Sequence, residues 1–539
     1  MAMRRALTSL LFVLAAAGVT LFGSTIFLGQ QDIEKTLRTF LGGAAPIGEA
    51  LPPAPPGSPL VITLSDVPRT DYGVGPRGPN ERRFRRLAED HGFEYRRSLS
   101  QAARELAVFY GDYRRLAPSS ALGFILESSG APYWGVRQAV VITNAPGDAP
   151  IETLLGESHK EGDVVGLGEA TLAEEPPQRI IVALTAYETL ALDPLPRVFV
   201  PGRAGTISGR LAPGYTSPKA IAMGPDSEFV ELKTTTTGRR FTIVRPSAAG
   251  KWVVEILAVG PHGPVPLTQL TLYGDEPIPT VFESTWPPAL DAATDSAEYV
   301  AGLVNSARAD AQIPPLAYDE ALAHVAMSHS EDMQTGDFVG HRSPRTGLLS
   351  DRLRGAGYRS VSRGENVALN VSLYDAHVGL MWSLGHRKNI LSTQFTHFGV
   401  GVRKGERGWY VTEVFAHPTP VLDDPGAAAY ELLEALRRAR EANTETDAVV
   451  RRDATLSRIA REAAKGTWDS PEDIVEAVRD QGVRTRTTVW TGQLALLDQF
   501  NAPRQVIEGA YTRFGVGVHQ DLDTAGPSVR VVLIAAEGR

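Results

Sequence analysis

The pentapeptide Phe-Gly-Val-Gly-Val occurs twice in this chain, at Phe398–Val402 and at Phe514–Val518, and the match runs on into the flanks. Immediately upstream, "HRKNILSTQFTHFGVGV" aligns without gaps over "APRQVIEGAYTRFGVGV". Further upstream, "AEYVAGLVNSARADAQIPPLAYDEALAHVAMSHSEDM" finds its counterpart in "AYELLEALRRAREANTETDAVVRRDATLSRIAREAAK". Both read as a helix, a break, an Asp at a cap position (Asp319, Asp453), then L-x-x-I/V-A on the next helix. A chain with such self-similarity writes one supersecondary unit more than once. Glycine at alternate positions strips one face of the repeated strand, as a close approach to a packed helix requires. The two copies differ in chemistry. Ala502 takes the place of His386 and Pro503 that of Arg387, and no histidine lies between His417 and His519. A fainter echo lies upstream, where "SLSQAARELA" resembles "TLSRIAREAA" and "VVGLGEATLAEEPPQRIIVALTA" repeats the Gly-x-Gly strand. A degenerate N-terminal relative and unrelated α/β sequence are both open readings there.

At 539 residues the chain is too long for one core. Residues 1–31 open with Arg4 and Arg5 ahead of an uncharged, mostly apolar run, which reads as a signal peptide or an N-terminal membrane anchor. With an anchor, the Arg pair stays inside and the rest faces outward. Residues 32–59 form a Pro-rich linker. Over 60–194, helical stripes and β-branched runs predict an α/β domain. Over 195–277, short runs broken by Gly, Pro and Asp predict an all-β, immunoglobulin-like sandwich. No titratable cluster stands out there, so it reads as an accessory or spacer module. A Pro-punctuated linker leads to an α+β domain at 290–418, and the second copy fills 424–539. The expected fold class is multidomain α+β.

Composition removes several functions. A formal charge of −8 argues against general nucleic-acid binding. The absence of cysteine excludes disulfides, thiol catalysis and Cys-ligated zinc. No P-loop, HExxH or GxSxG string is present, and "GVGVRKG" lacks the strand-then-helix setting of a dinucleotide fingerprint.

The dense set of His and Glu near Gly turns lies within 295–416, in "GDFVGHRSP", "DRLRGAGY", "GENVAL", "WSLGHRKNIL" and "HFGVGV". In order and spacing these motifs, over about 120 residues, resemble the CAP superfamily (SCP or PR-1-like) in its bacterial form. The resemblance implies an α-β-α sandwich and a cleft in which two His and one or two Glu converge. By motif, His341, Glu365 and His386 take those positions, and in some members the two His hold a divalent metal such as zinc. Two neutral imidazoles can ligate zinc with a carboxylate beside them as proton acceptor. Without metal, a Glu–His pair can serve as base and orienter. Where eukaryotic members often place a second Glu, this chain reads Asp351-Arg352, and an Arg repels a metal.

Each residue also has a structural reading. Glu365 can bind loop amides ahead of a strand, Asn366 and Asn389 can be turn or cap residues, and His386 can complement a helix end. His341 can be a loop histidine. His329 on an apolar helical face reads as a core histidine, and Arg308 and Arg387 as partners of carboxylates or loop carbonyls. His377, His397 and His417 fit no pattern. Three functions follow: an extracytoplasmic module binding a lipid, peptide or glycan; a metal-assisted hydrolase acting through His341, Glu365 and His386; and a structural envelope component.

Overall fold

Glycines alternating along a strand leave its backbone bare, and in the computed structural model each such strand is pressed against a helix. An added Cβ at Gly399 would lie 2.1 Å from the Ala323 nitrogen, and one at Gly401 would lie 2.2 Å from that of Met327. Gly515 and Gly517 meet Leu456 and Ala460 at 2.2 and 2.0 Å. Gly166 and Gly168 meet Leu99 and Arg104, both at 2.2 Å. No side chain fits such gaps, so these strands hold glycine for packing.

The structure describes residues 13–16, 57–113, 115, 117–158, 162–172, 177–288, 294–443, 449–468, 470–521 and 529–538. Apart from Val13–Ala16, a strand pairing antiparallel with Arg137–Thr143, the expected signal or anchor lies outside them. Among the described residues no helix is long and apolar enough to cross a membrane. The chain divides into two units. One takes the described residues up to Arg352 with Gly364–Thr393 and Phe398–Phe415; the other takes Leu353–Arg363, Gln394–His397 and the residues from Ala416 on.

The first unit holds three modules. In the N-terminal one, the sheet runs Glu94–Tyr95, Val164–Leu172, Gln178–Ala186, Arg137–Thr143. Helix Arg97–Tyr113 covers one face, with Leu99, Ala103 and Leu106 in a core with Ile180 and Val182. Phe84, Leu87, Ile151 and Leu154 pack with Val141 and Val165 in a second core. Next comes a two-sheet β module around Ile207, Phe241, Ile243, Val254, Ile256 and Leu270. It recruits Leu190–Leu192, ahead of the boundary expected at 195, and its longest hairpin joins Gly250–Gly260 to Gly263–Gly274. The linker that follows is not featureless: Val281–Thr285 pairs antiparallel with Pro59–Thr63, at the start of the expected N-terminal α/β domain.

In the third module, Ser296 caps helix Ala297–Asp310 and Asp319 caps Glu320–Gly336 through the amides of Ala321 and Leu322. The sheet runs Ala317–Tyr318, His397–Gly405, Gly408–Pro418, Ser360–Asn370. The expected hairpin is there, with Glu406 and Arg407 at its turn. The third expected helix is two, Leu373–Trp382 and Leu384–Ile390, broken at Ser383.

The second unit has its own sheet, in the order Arg451–Arg452, Tyr511–Gln520, Val529–Glu537, Thr487–Leu494. Numbered along each module, and leaving aside the Val13–Ala16 edge strand, all three mixed modules share one strand order: first, third, fourth, second. Asp453 caps Ala454–Ala464 as Asp319 caps its helix. Buried Arg440 donates to the carbonyls of Val506, Ile507 and Gly509; buried Arg308 likewise donates to Pro314, Ile390 and Ser392.

Candidate functional site

Three local structures deliver the site. His341 sits in the loop after helix Glu320–Gly336, and Glu365 lies inside strand Ser360–Asn370, not ahead of one as its motif implied. His386 is the third residue of helix Leu384–Ile390. The fold brings these three sequence-named residues together. His341 Nδ1 lies 3.0 Å from Glu365 Oε1, and the His341 and His386 rings stack with centroids 6.1 Å apart. A carboxylate oxygen only accepts, so Nδ1 of His341 carries the proton.

The position after Asp351 decides the electrostatics. Asp351 is exposed and accepts from the Leu348 amide, so it does not stand in for a second cleft carboxylate. Arg352, from the short helix Leu349–Gly355, is buried and donates to Glu365 Oε2, to the Gly347 carbonyl at 2.9 Å and to the His341 carbonyl at 3.3 Å. Burial alone would raise the Glu365 pKa. The His341 hydrogen bond and the Arg352 charge outweigh it and hold the carboxyl below its ordinary value. His386 is 6% exposed, and burial, helped by His341, pushes its pKa down to about 3. It is neutral at physiological pH and gives a helix end no charge.

A divalent cation fits this donor set poorly. Each oxygen of Glu365 is committed to a donor, and a guanidinium occupies the space beside it. Among the described residues, no group of three or more His, Asp or Glu is poised around a common point. A carboxylate held below its ordinary pKa is also a weaker general base. What the arrangement does well is present fixed imidazoles beside a neutralised ion pair.

The remaining residues find definite places. His329 is fully buried, with Nε2 2.9 Å from the Gly340 carbonyl, and Arg308 binds loop carbonyls; both are structural, as expected. Asn366 and Asn389 are not turn or cap residues. Asn366 donates to the His386 carbonyl (3.2 Å) and to Glu413 (2.9 Å), and Asn389 donates to Asn366 (2.9 Å) and to the Glu365 carbonyl (3.2 Å). Together they tie the strand of Glu365 to the helix of His386. His377 is buried and its pKa falls to about 4 through desolvation. Three residues escaped sequence reasoning: Glu413, Glu255 and His262. Glu413 and Glu255 each sit in a β-rich apolar run, "WYVTEVFA" and "WVVEILAVG". A lone carboxylate there was the available signal.

Residues 301–416 match the CAP family model, the cysteine-rich secretory protein family. Two Bacillus subtilis (strain 168) proteins align with this chain. The uncharacterized membrane protein YlbC is 38% identical over 110 residues, 20% of this chain and 32% of that protein. The uncharacterized protein YkwD is 36% identical over 111 residues, 20% of this chain and 43% of that protein. The match thus spans less than half of either relative. Among solved structures, an extracellular protein containing an SCP domain from Bacillus anthracis str. Ames is 23% identical, covering 39% of this chain and 77% of that one, with a TM-score of 0.21. Na-ASP-1 is 10% identical over 44% of this chain and 88% of its own, with a TM-score of 0.27. Likenesses this weak say nothing about the chemistry of the cleft.

Proposed function

Because residues 301–416 form a CAP domain, we propose that this chain is an exported recognition protein whose CAP cleft binds a glycan or peptide. The observation that supports binding over hydrolysis is the double engagement of Glu365 by His341 and Arg352. It removes the proton acceptor and the third ligand a metal-assisted hydrolase would need. The ion pair cancels its own charge and Arg352 is committed to Glu365 and two loop carbonyls, which leaves the imidazoles to meet hydroxyls and amides rather than ions. Export rests on Arg4, Arg5 and the apolar run behind them, whether cleaved or kept as an anchor. The flanking modules are degenerate copies of the CAP unit in this reading. Their shared strand order, glycine contacts and arginine ties support it, and Ala502 in place of His386 leaves the tail without a site.

The test is a glycan, peptide and lipid array probed with the full chain beyond the apolar segment, beside Arg352→Ala and the His341→Ala, His386→Ala double variant. A glycan or peptide hit weakened about tenfold or more in the double variant is expected, and a smaller loss in Arg352→Ala, which acts only through Glu365 and the loop of His341 that it holds. A lipid-only hit would overturn the ligand class. Zinc uptake with hydrolysis in the wild type, both lost in the double variant, would overturn the binding reading itself.

A further inference from the structure

The β module was expected to be a spacer, yet it is built into its neighbours. Glu255, buried mid-strand, accepts the Leu384 and Gly385 amides of the CAP module, each at 2.9 Å. At the tip of the same hairpin, the His262 carbonyl accepts the Arg342 amide at 2.9 Å. The hairpin's second strand brings Gln269 and Thr271 to a cleft of about 650 Å³, open to solvent, where the three modules of the first unit meet. His341, Glu365 and His386 take no part in its lining. Three half-buried aromatic side chains do. Tyr133 and Trp134 come from a loop of the N-terminal module between Gly130 and Gly135, both at φ 65, a conformation that favours glycine. Trp382 ends helix Leu373–Trp382 of the CAP module. Gln269 pins it twice, donating to the Trp382 carbonyl at 2.8 Å and accepting from the indole N–H at 2.9 Å. Gly123 clears room for the ring, since a Cβ there would lie 2.8 Å from it.

We propose that this cleft is a second binding site, and that it takes a neutral oligosaccharide. Its polar lining sets the ligand's chemistry. The Ser119 hydroxyl spends its hydrogen on Asp375 at 3.1 Å, the Thr271 hydroxyl on Glu127 at 2.9 Å, and the indole of Trp382 on Gln269. Their acceptor capacity remains. Glu127 Oε1 takes both Arg197 (2.7 Å) and Tyr273 (2.9 Å), whereas Oε2 takes Thr271 alone. The ligand must therefore bring donors. A rim of hydroxyls supplies them, while an anion only accepts and a peptide backbone brings a carbonyl for every N–H. A cation would suit aromatic rings beside a carboxylate, but the buried guanidinium of Arg197 already neutralises Glu127. A sugar ring has an apolar C–H face to lie against an aromatic one and hydroxyls at its edge. Aromatic walls with a few fixed acceptors, at a junction of modules, match that ligand. The site does not depend on what the CAP cleft binds.

The experiment is calorimetric titration of chitotetraose and cellotetraose, two neutral oligosaccharides, into the full chain beyond the apolar segment. It is run on the wild type and on the His341→Ala, His386→Ala double variant, which silences the CAP cleft. At least one sugar should bind both forms. Trp382→Ala or Trp134→Ala, added to the double variant, should weaken that binding about tenfold or more, the scale of a buried aromatic anchor. Gln269→Leu, which frees the indole without removing it, should cost less. Trp134→Ala and Gln269→Leu decide the matter if Trp382→Ala fails to fold. Binding of neither sugar, binding lost in the double variant itself, or binding that survives the aromatic substitutions overturns the proposal. Uptake of tetramethylammonium or an oligoproline peptide with neither sugar overturns it equally, because the rings would then serve a cation or a peptide.

Discussion

Glu413 shows how much one unpaired atom governs. It is fully buried in strand Gly408–Pro418, where Oε2 accepts from Asn366 and Oε1 has no partner. Burial raises its pKa to about 7. Between the unfolded value of about 4.3 and that folded value, the native state keeps a proton the unfolded chain has released. Stability is therefore lost as pH rises through this window. Glu413→Gln should flatten that slope, relieving up to about 3 kcal/mol at pH 8 relative to pH 4. Any fixed cost of burying the amide shifts the curve without restoring the slope. Denaturant midpoints across pH read it, and an unchanged slope would refute the assignment. His386 contributes with the opposite sign. Its depressed pKa makes the native state refuse a proton the unfolded chain accepts below about pH 6.5, so its term is lost on acidification. The trio His341, Glu365 and His386 was legible because motif spacing reports local turns. Arg352 was legible only as an anomaly, since spacing does not say which of two neighbours faces inward.

At the scale of elements, the alternating glycines make the sharpest forecast. A Cβ at Gly401 meets the Met327 nitrogen at 2.2 Å and the Ala326 carbonyl carbon at 2.3 Å, and helix backbone cannot swing aside as a side chain can. Gly401→Ala should cost about 3 kcal/mol or more, the upper end of overpacking. Gly302, in the interior of helix Ala297–Asp310, is exposed, and a methyl added there would have nothing within 4 Å. Gly302→Ala should instead stabilise by about 0.5–1 kcal/mol. Opposite shifts in melting temperature for the two substitutions are the expected result. Helix starts were readable here because Ser296 and Asp319 act locally. The break at Ser383 was not, because Ser383 ends one helix and caps the next, whose first amides, of Leu384 and Gly385, are held by Glu255 from another module.

For the molecule, the first unit is closed by buried polar ties among its three modules. Ser119 of the N-terminal module donates to Asp375 of the CAP module at 3.1 Å, and Gly123 leaves room for Trp382. Glu255 ties the β module to the CAP module. Arg197 ties the N-terminal module to the β module. Its guanidinium is fully buried, donates to the carbonyls of Arg69 and Glu127 and to the Glu127 carboxylate at 2.7 Å, and lies over Tyr72 and Tyr273. None of these ties was legible, because composition marks a charge within an apolar run but not the surface it will meet. Sequence reading therefore set the modules as beads, where the fold makes them share buried partners. Arg197→Met should strand Glu127 with only Thr271 and Tyr273 as donors. The expected loss is about 3–5 kcal/mol, typical of breaking a buried pair. Arg197→Lys should recover little, since one ammonium cannot span three acceptors in the planar fork's geometry. Proteolysis near residues 187–197 should accelerate in both variants. If the lysine variant resists cleavage as the wild type does, the tie is a point charge and the fork geometry is irrelevant.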